Sequence, residues 1–600
     1  MSQGLRIGGA SGFWGDASQA TPQLLAAGDL DFIVYDYLAE ITMAILARAR
    51  RKDPAAGYAT DFVTAAMAPN LADIAAHGVR VVSNAGGMNP AACAEALRAE
   101  IAKQGLSLRV AVVEGDDLQP HVHHIAKTNP VEMFTGAALP PVDQIASINA
   151  YLGAFPIAAA LDRGADIVVT GRCVDSAVTL GAAIHHFGWM PNDLDALAGG
   201  SLAGHILECG PQASGGNFTD WRAVAQDLDQ IGYPIATLRC DGSFEVSKPE
   251  GTGGLVSRGT VGEQLLYEIG DPQAYLLPDV ACDFSQVVLT EVAPNRVSVT
   301  GARGLGVPDS YKTCLTYADG YRSGHIFTFY GLDAEAKAQH FADTVLTRCR
   351  ATLKRMQAPD YSDVSVELIG TESQFGAQRS APPAREVAAK IAVRHPEARA
   401  VGLFLKEATG LGLATPPGLS GFAGARPKPS PVMALFSYLT PKSQVAVTVS
   451  DDVGTLDCPA FRGKPVASAR RPEEPTPPQA EQIREVPLVD LAWARSGDKG
   501  DIANIGVMAR APALMPWIWA GLTPEHLRRV FGHFCAGEID RFYLPGTAAM
   551  NILLHASLGG GGTSSLRNDP QAKGYAQLLL AAPIPVDAAL LETKIMRTRR

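Results

Sequence analysis

The chain has 600 residues, 47% hydrophobic and 19% charged, with Lys+Arg 51 against Asp+Glu 61 and a formal net charge of −10. So much apolar content excludes a disordered chain, and an acidic balance without a basic block excludes a nucleic-acid binder, whose affinity rests on Lys and Arg meeting phosphates. At roughly 150 residues per domain the length predicts about three or four domains, or two large ones.

The start, Met1-Ser-Gln-Gly-Leu-Arg-Ile7, lacks the basic and apolar regions of a signal peptide. Leu5–Ile7 reads as the first strand, followed by the loop Gly8-Gly-Ala-Ser-Gly-Phe-Trp-Gly-Asp16. Phe32–Tyr35, Val79–Val82, Leu108–Val113 and Ala165–Thr170 read as further strands, with helices at Ala91–Gln104 and Ile148–Arg163 between them. Strands alternating with helices predict βαβ units and a mainly parallel sheet over residues 1–235. Polar or glycine-bearing loops follow these strands: Asp36–Glu40, Ser83–Gly87, Glu114–Asp116 and Gly171–Asp175. Strand C-terminal ends form the ligand-facing edge of such a sheet, so these loops are expected to converge on a small-molecule site.

Residues 236–460 change to alternating strand-like segments such as Val287–Val292, Arg296–Thr300, Ser365–Ile369 and Gln444–Val449, with one long helix near Ala334–Met356, and predict an α+β region. Prolines among charges mark 461–487 as a linker, and 488–600 reads as a compact α/β or α+β module. The nine cysteines are scattered and never form a C-x-x-C pair, which argues against a zinc ribbon or a disulfide framework. No apolar run reaches the ~18 residues of a membrane span. A reducing cytoplasm is expected, with neither membrane nor nucleic-acid partners, and a homo-oligomer is expected on general grounds.

Neither Gly8–Asp16 nor Gly301–Gly306 fits a dinucleotide fingerprint, and no P-loop lysine follows. The stretch Gly204–Phe218 is the densest in chemistry-bearing residues. His205 and Glu208 stand three apart, share one face of a helix, and form a candidate proton-transfer pair. Cys209 and Ser214 are alternative nucleophiles beside that histidine. Asp36, Glu114 and Asp116 complete the candidate catalytic set, with Glu208 or Asp116 as base, and Glu40 is a further strand-end acid. The candidate substrate-binding set is Gly9, Ser11, Gly12, Asn84, Gly86, Gly87, Arg172, Asp175, Asn217, Lys248, Gly253, Arg495 and Lys499. In it the fork of Arg172 suits a carboxylate, and backbone N–H groups of the first and third loops could hold an enolate oxygen. The Lys248–Gly254 loop could close over the site, while Arg495, Lys499 and Arg567 beside Gly runs suit an anion such as a CoA phosphate. His121, His123 and His124 read as surface residues rather than a metal cluster. No metal site is assigned, though a divalent ion is not excluded.

Several long motifs occur in order: Ile7–Asp16, Tyr37–Met43, Asn84–Pro90, Val113–Asp117, Leu202–Gly210, Lys248–Ser257 and Glu263–Glu268. They resemble the acyclic terpene utilization AtuA family over about residues 5–455, with slight departures at Gly9 and Trp14. Residues 488–600, with Ser496–Gly506, look like the ferredoxin-fold module appended to AtuA in many bacteria. The resemblance implies a ferredoxin-fold-like α+β domain at the C-terminus and a place in the breakdown of acyclic terpenes through branched acyl-CoA thioesters. It supplies no catalytic residues. The expected activity is a lyase, foremost a hydro-lyase, acting on a branched hydroxyacyl-CoA or a related hydroxy or unsaturated carboxylate, with no certain cofactor. Alternatives are a retro-aldol C–C lyase, an acyl-CoA hydrolase or thioesterase, and a non-catalytic acyl-CoA-binding subunit.

Overall fold

The computed structural model describes residues 4–592 except 17, 422, 423, 425 and 462. Five strands, β1 (Leu5–Gly9), β2 (Phe32–Tyr35), β3 (Arg80–Ser83), β4 (Val110–Glu114) and β6 (Ile167–Thr170), form a parallel core in the order β1-β2-β3-β6-β4. Their nearly unbroken apolar runs follow from burial on both faces. Side chains alternate: Phe32 and Val34 join one hydrophobic cluster, while Ile33 and Tyr35 join the other. Helices Glu40–Lys52 and Pro90–Lys103 cover the Ile33 face, and Phe155–Asp162, Ala177–Phe187 and Leu194–Leu207 cover the Phe32 face.

Antiparallel strands extend this core on both edges. Ile235–Leu238, Phe244–Ser247, Arg296–Thr300 and Val288–Ala293 continue beyond β1, and Thr448–Asp451 and Gly454–Asp457 continue beyond β4, giving an eleven-stranded mixed sheet. Residues 236–460, expected as an α+β region that makes one core together with residues 1–235, thus enter the first sheet at both of their ends. Between these ends a second sheet is built on the long strand Ser310–Tyr330, which pairs with Glu386–His395, Ser430–Pro441 and β5 (Ile145–Ala150). The helix expected over Ile148–Arg163 is thus a correction. Ile145–Ala150 is recruited as a strand by Thr313–Tyr317, and the helix starts only at Phe155, with Pro156 in its first turn. The long helix, Ala334–Arg355, packs Phe341 against Phe327 and Phe329 of the second sheet.

The prolines of 461–487 form a strap held at intervals: Arg471 makes two contacts with Asp271 (2.6 and 2.7 Å), and Trp519 donates to Glu474. Beyond it, Ala492–Lys499, Ile502–Ala509, Ala549–Leu554 and Ile539–Leu544 lie in that order in an antiparallel sheet. Ile502–Ala509 and Ile539–Leu544 run parallel with Ala549–Leu554 between them, the split βαβ arrangement of a ferredoxin-like sheet. One face of this module lies on helix Arg258–Leu266, and Met508, Leu544 and Ala549 enter the core of the large sheet. The approach is close because glycines meet it: a Cβ on Gly506 would lie 2.2 Å from Leu266 Cβ, and one on Gly262 would lie 2.3 Å from Met508 Cε. Asp220 fastens the edge of the contact, receiving both terminal nitrogens of Arg510 (2.6 and 2.8 Å) and the Trp493 indole N–H (2.8 Å).

Candidate functional site

The C-terminal edge of the parallel core carries the polar residues that the strand-end loops led one to expect. Asp36 follows β2, Asn84 follows β3 and Arg172 follows β6. Asn84 Nδ2 donates to Asp36 Oδ1 (2.5 Å), while its Oδ1 accepts from the Tyr37 N–H (2.8 Å), so one side chain ties two loops together. Ser11 donates to the Asp36 carbonyl (3.0 Å) and brings in the first loop. Arg172 is 3% exposed. It donates to Asp175 Oδ1 (2.7 Å) and the Cys173 carbonyl (2.8 Å), and its guanidinium lies 4.1 Å from the centre of the Tyr151 ring.

Around this centre the fold adds groups from distant segments. Tyr151 donates to Glu40 Oε1 (2.7 Å), which Lys312 of the long strand also reaches (3.4 Å). Helix Leu194–Leu207 ends beside β1 because Gly9 has no side chain: a Cβ there would lie 2.7 Å from the Leu207 carbonyl oxygen. That contact delivers His205 and Glu208 to the same edge, with Nδ1 2.9 Å from Oε1 and no partner for Nε2 among the described residues. The ferredoxin-like module contributes its first hairpin turn. Lys499 stands 3.8 Å from Glu268 and, with Tyr275, Asp175 and Glu208 also nearby, has its charge firmly favoured although burial opposes it. The side chains of Glu40, Asp175, Lys312 and Lys499 are 31%, 32%, 35% and 36% exposed, so they line a recess open to water rather than a closed core.

The electrostatics divide the acids. Burial, then the charge of Asp175, pushes the Asp36 carboxyl well above the usual range, with Glu208 adding to the effect. Burial also raises Glu208, against the pull of His205. Glu40 goes the other way, because Lys312 and Arg172 outweigh its burial. Asp498, next to Lys499, is pushed up to about 7 by burial and the nearby Glu268. One recess therefore holds carboxyls that favour their proton beside a carboxylate that does not, and three cations, Arg172, Lys312 and Lys499, the division of labour that acid–base chemistry on an anion requires.

Other candidates lie elsewhere or act differently. Asp116 is 3% exposed and accepts from the Arg172 N–H (2.9 Å) and Asn149 Nδ2 (2.8 Å); it sets the Arg172 loop from beneath. Glu114 stays in its ladder opposite Thr448. The N–H groups of Gly9, Gly12 and Gly87 already donate to Pro234 O, Asp16 Oδ2 and Asn84 O, so none of the three is left for an enolate oxygen. Gly86 is a packing glycine, since a Cβ would meet the Thr170 carbonyl oxygen at 2.5 Å, and a Cβ on Gly253 would meet that of Asp227 at 2.1 Å. Lys248 donates to the Thr252 carbonyl (2.5 Å) within its own loop, and Asn217 is an exposed turn residue at φ 59°. Arg495 docks the module, donating to Gln212 Oε1 and the Gly216 carbonyl with its guanidinium 4.6 Å from the Tyr267 ring centre. Ser214 is fully buried and donates to the Gly232 and Pro211 carbonyls, and burial beside Glu208 and Glu268 keeps the Cys209 thiol protonated. His123 and His124 are exposed, and no cluster of three or more His, Cys, Asp or Glu placed to hold a metal occurs among the described residues.

Sequence reasoning missed Tyr151, Lys312, Glu268, Tyr275 and Asp498. Two of them had a signal: Glu268 closes the Glu263–Glu268 motif, and Asp498 neighbours Lys499 in the Ser496–Gly506 motif.

No helix among the described residues is long and apolar enough to cross a membrane. Comparison with curated proteins and with solved structures gives no match. Two family models do match: the AtuA ferredoxin-like domain over residues 486–585, and the acyclic terpene utilisation family protein AtuA over residues 5–450. The five parallel strands, the loops that follow them and the recess fall within the second of these spans, apart from the turn that the module adds, and the chain belongs to the acyclic terpene utilisation (AtuA) family.

Proposed function

We propose that the chain is a hydro-lyase that removes water from, or adds it to, a branched hydroxyacyl thioester or hydroxycarboxylate. The observation that carries this reading is the convergence of Arg172 and Lys499 with Asp36 and Glu208, two carboxyls that burial biases toward the protonated form. Removing a proton beside a carbonyl leaves negative charge on the carbonyl oxygen, and Lys499 and Arg172 are the groups to balance it or to hold a substrate carboxylate. Glu208, paired with His205, takes the proton from carbon. Asp36 holds its proton and gives it to the departing hydroxyl, which leaves as water. An acid raised toward neutral still holds its proton to give, and a partly raised base is the better acceptor near neutral pH. The hydrolase alternative lacks an activated nucleophile, since Cys209 keeps its proton and the Ser214 hydroxyl is committed to backbone carbonyls.

The test is turnover of branched 3-hydroxyacyl-CoA and enoyl-CoA pairs in deuterated water, followed by loss or gain of enoyl absorbance and by deuterium at the carbon next to the carbonyl. Interconversion with deuterium uptake supports the reading. Cleavage of a carbon–carbon bond instead would reassign the same groups to a retro-aldol lyase. With neither reaction, with or without divalent metal, the reading fails.

A further inference from the structure

A second cavity, of about 590 Å³, opens where the second sheet meets the ferredoxin-like module. Its floor is the paired strands around Arg322, Gly324 and Lys390, and its far wall is the loop running from Gly562 to Pro570. Four cations line it, Arg322, Lys390, Lys428 and Arg567, and no carboxylate does. Lys390 has an acid at its back, Glu367 at 2.5 Å. Arg322 donates to the Ser565 carbonyl (2.6 Å), Arg567 is held by the Ser557 and Phe534 carbonyls and the Tyr575 hydroxyl, and neither they nor Lys428 has a carboxylate within ion-pair distance among the described residues. Burial and the neighbouring Arg394 both work against the charge of Arg322. In a chain of net charge −10, three such positive groups gathered without counter-charges require a reason.

The place of the cavity supplies one. The glycine run that walls it also packs against the turn carrying Lys499: a Cβ on Gly561 would lie 2.7 Å from the Gly500 carbonyl oxygen, and one on Gly562 would lie 3.7 Å from Asp498 Oδ2. The basic cavity and the acid-lined recess therefore stand on either side of one turn. A CoA thioester is a ligand of matching polarity, with phosphates at one end and the reacting acyl group at the other.

We infer that this cavity binds the phosphorylated adenosine head of a CoA thioester, with the Arg322 fork and Lys428 on its phosphates and the charge of Arg567 behind them, so that the acyl end passes the Asp498–Asp501 turn into the recess. The volume lies within the ~300–1,000 Å³ of small-molecule sites, and planar guanidinium forks suit phosphate oxygens. The inference rests on the proposed acyl-CoA chemistry for its choice of ligand, and its test separates the two.

Isothermal titration of the full chain with CoA, adenosine 3′,5′-bisphosphate, ADP and inorganic pyrophosphate reads binding without turnover. CoA and the bisphosphate bind more tightly than ADP or pyrophosphate, and Lys428→Glu and Arg322→Gln each weaken CoA by about tenfold or more, as expected for a lost charge-assisted contact. Lys428 is exposed, so its variant keeps the test alive if Arg322→Gln does not fold. Pyrophosphate or ADP binding as tightly as CoA would reassign the cavity to free phosphates or nucleotides and overturn the inference. CoA binding that ignores both substitutions, or no CoA binding at all, would also overturn it. CoA binding that obeys both substitutions without any turnover would leave the cavity assigned and overturn only the lyase.

Discussion

Lys499 Nζ stands 3.8 Å from Glu268 Oε2, while Lys573 reaches the other oxygen of the same carboxylate at 2.8 Å. Both cations come from the ferredoxin-like module, but only Lys499 also has Asp175 and Glu208 close enough to favour its charge. The two lysines thus divide between holding the module in place and serving the recess.

Lys499→Met is accordingly expected to lower kcat/KM by about 10²–10³-fold, the scale of losing one group that balances developing charge. The melting temperature should move little, since Lys573 keeps Glu268 paired. Lys499→Arg should recover part of the activity. Equal losses of activity and stability would make Lys499 a structural residue.

A pH dependence follows from the buried acids. Burial pushes Asp116 up to about 7, against an ordinary carboxyl near 3.8. Between those values the folded chain holds a proton that the unfolded chain has released, so this group's stabilising contribution is full below about pH 4 and is lost as pH rises toward 7. Asp116→Asn removes that loss. Urea midpoints at pH 5 and pH 8 should fall less in the variant than in the wild type, by on the order of 2 kcal/mol of stability. An identical fall in both proteins would exclude the assignment.

The glycine contacts under the module give opposite expectations for one chemical change. At Gly506 an added methyl meets Leu266 Cβ, which is fixed to its backbone, whereas at Gly262 it meets the end of a methionine. Gly506→Ala should cost about 1–3 kcal/mol, the usual price of overpacking, and should speed proteolysis within residues 463–487. Gly262→Ala should be nearly neutral, because Met508 can turn aside. Denaturation curves and limited digestion measure both.

Cys209→Ala should leave kcat within about twofold of wild type, since a thiol kept protonated is a poor nucleophile. Loss of activity with retained fold would restore the thiol hydrolase reading.

Much of this architecture was legible in the chain. The five parallel strands showed as apolar runs because both faces are covered, and Asp36, Asn84, Arg172 and Asp175 could be named because polar residues following such runs lie on one edge. His205 and Glu208 were legible from their spacing alone. What escaped was set by pairings between distant segments. Ile148 lies in a run that reads equally well as helix, and its register with Leu315 decides the matter. Lys312 alternates within a strand like any outward residue, and only the long strand's path brings it to Glu40. The glycines were legible as a map of close contacts but not of their kind: Gly9, Gly253 and Gly506 make room for protein rather than ligand.

The strap over 463–487 ties the turn bearing Lys499 to the sheet bearing Arg172 in one covalent chain. Tethering replaces a bimolecular encounter with a local concentration set by the length of the connection. The charge balance of the recess is therefore independent of dilution, and the protein should retain its full specific activity at concentrations where two separate chains would fall apart.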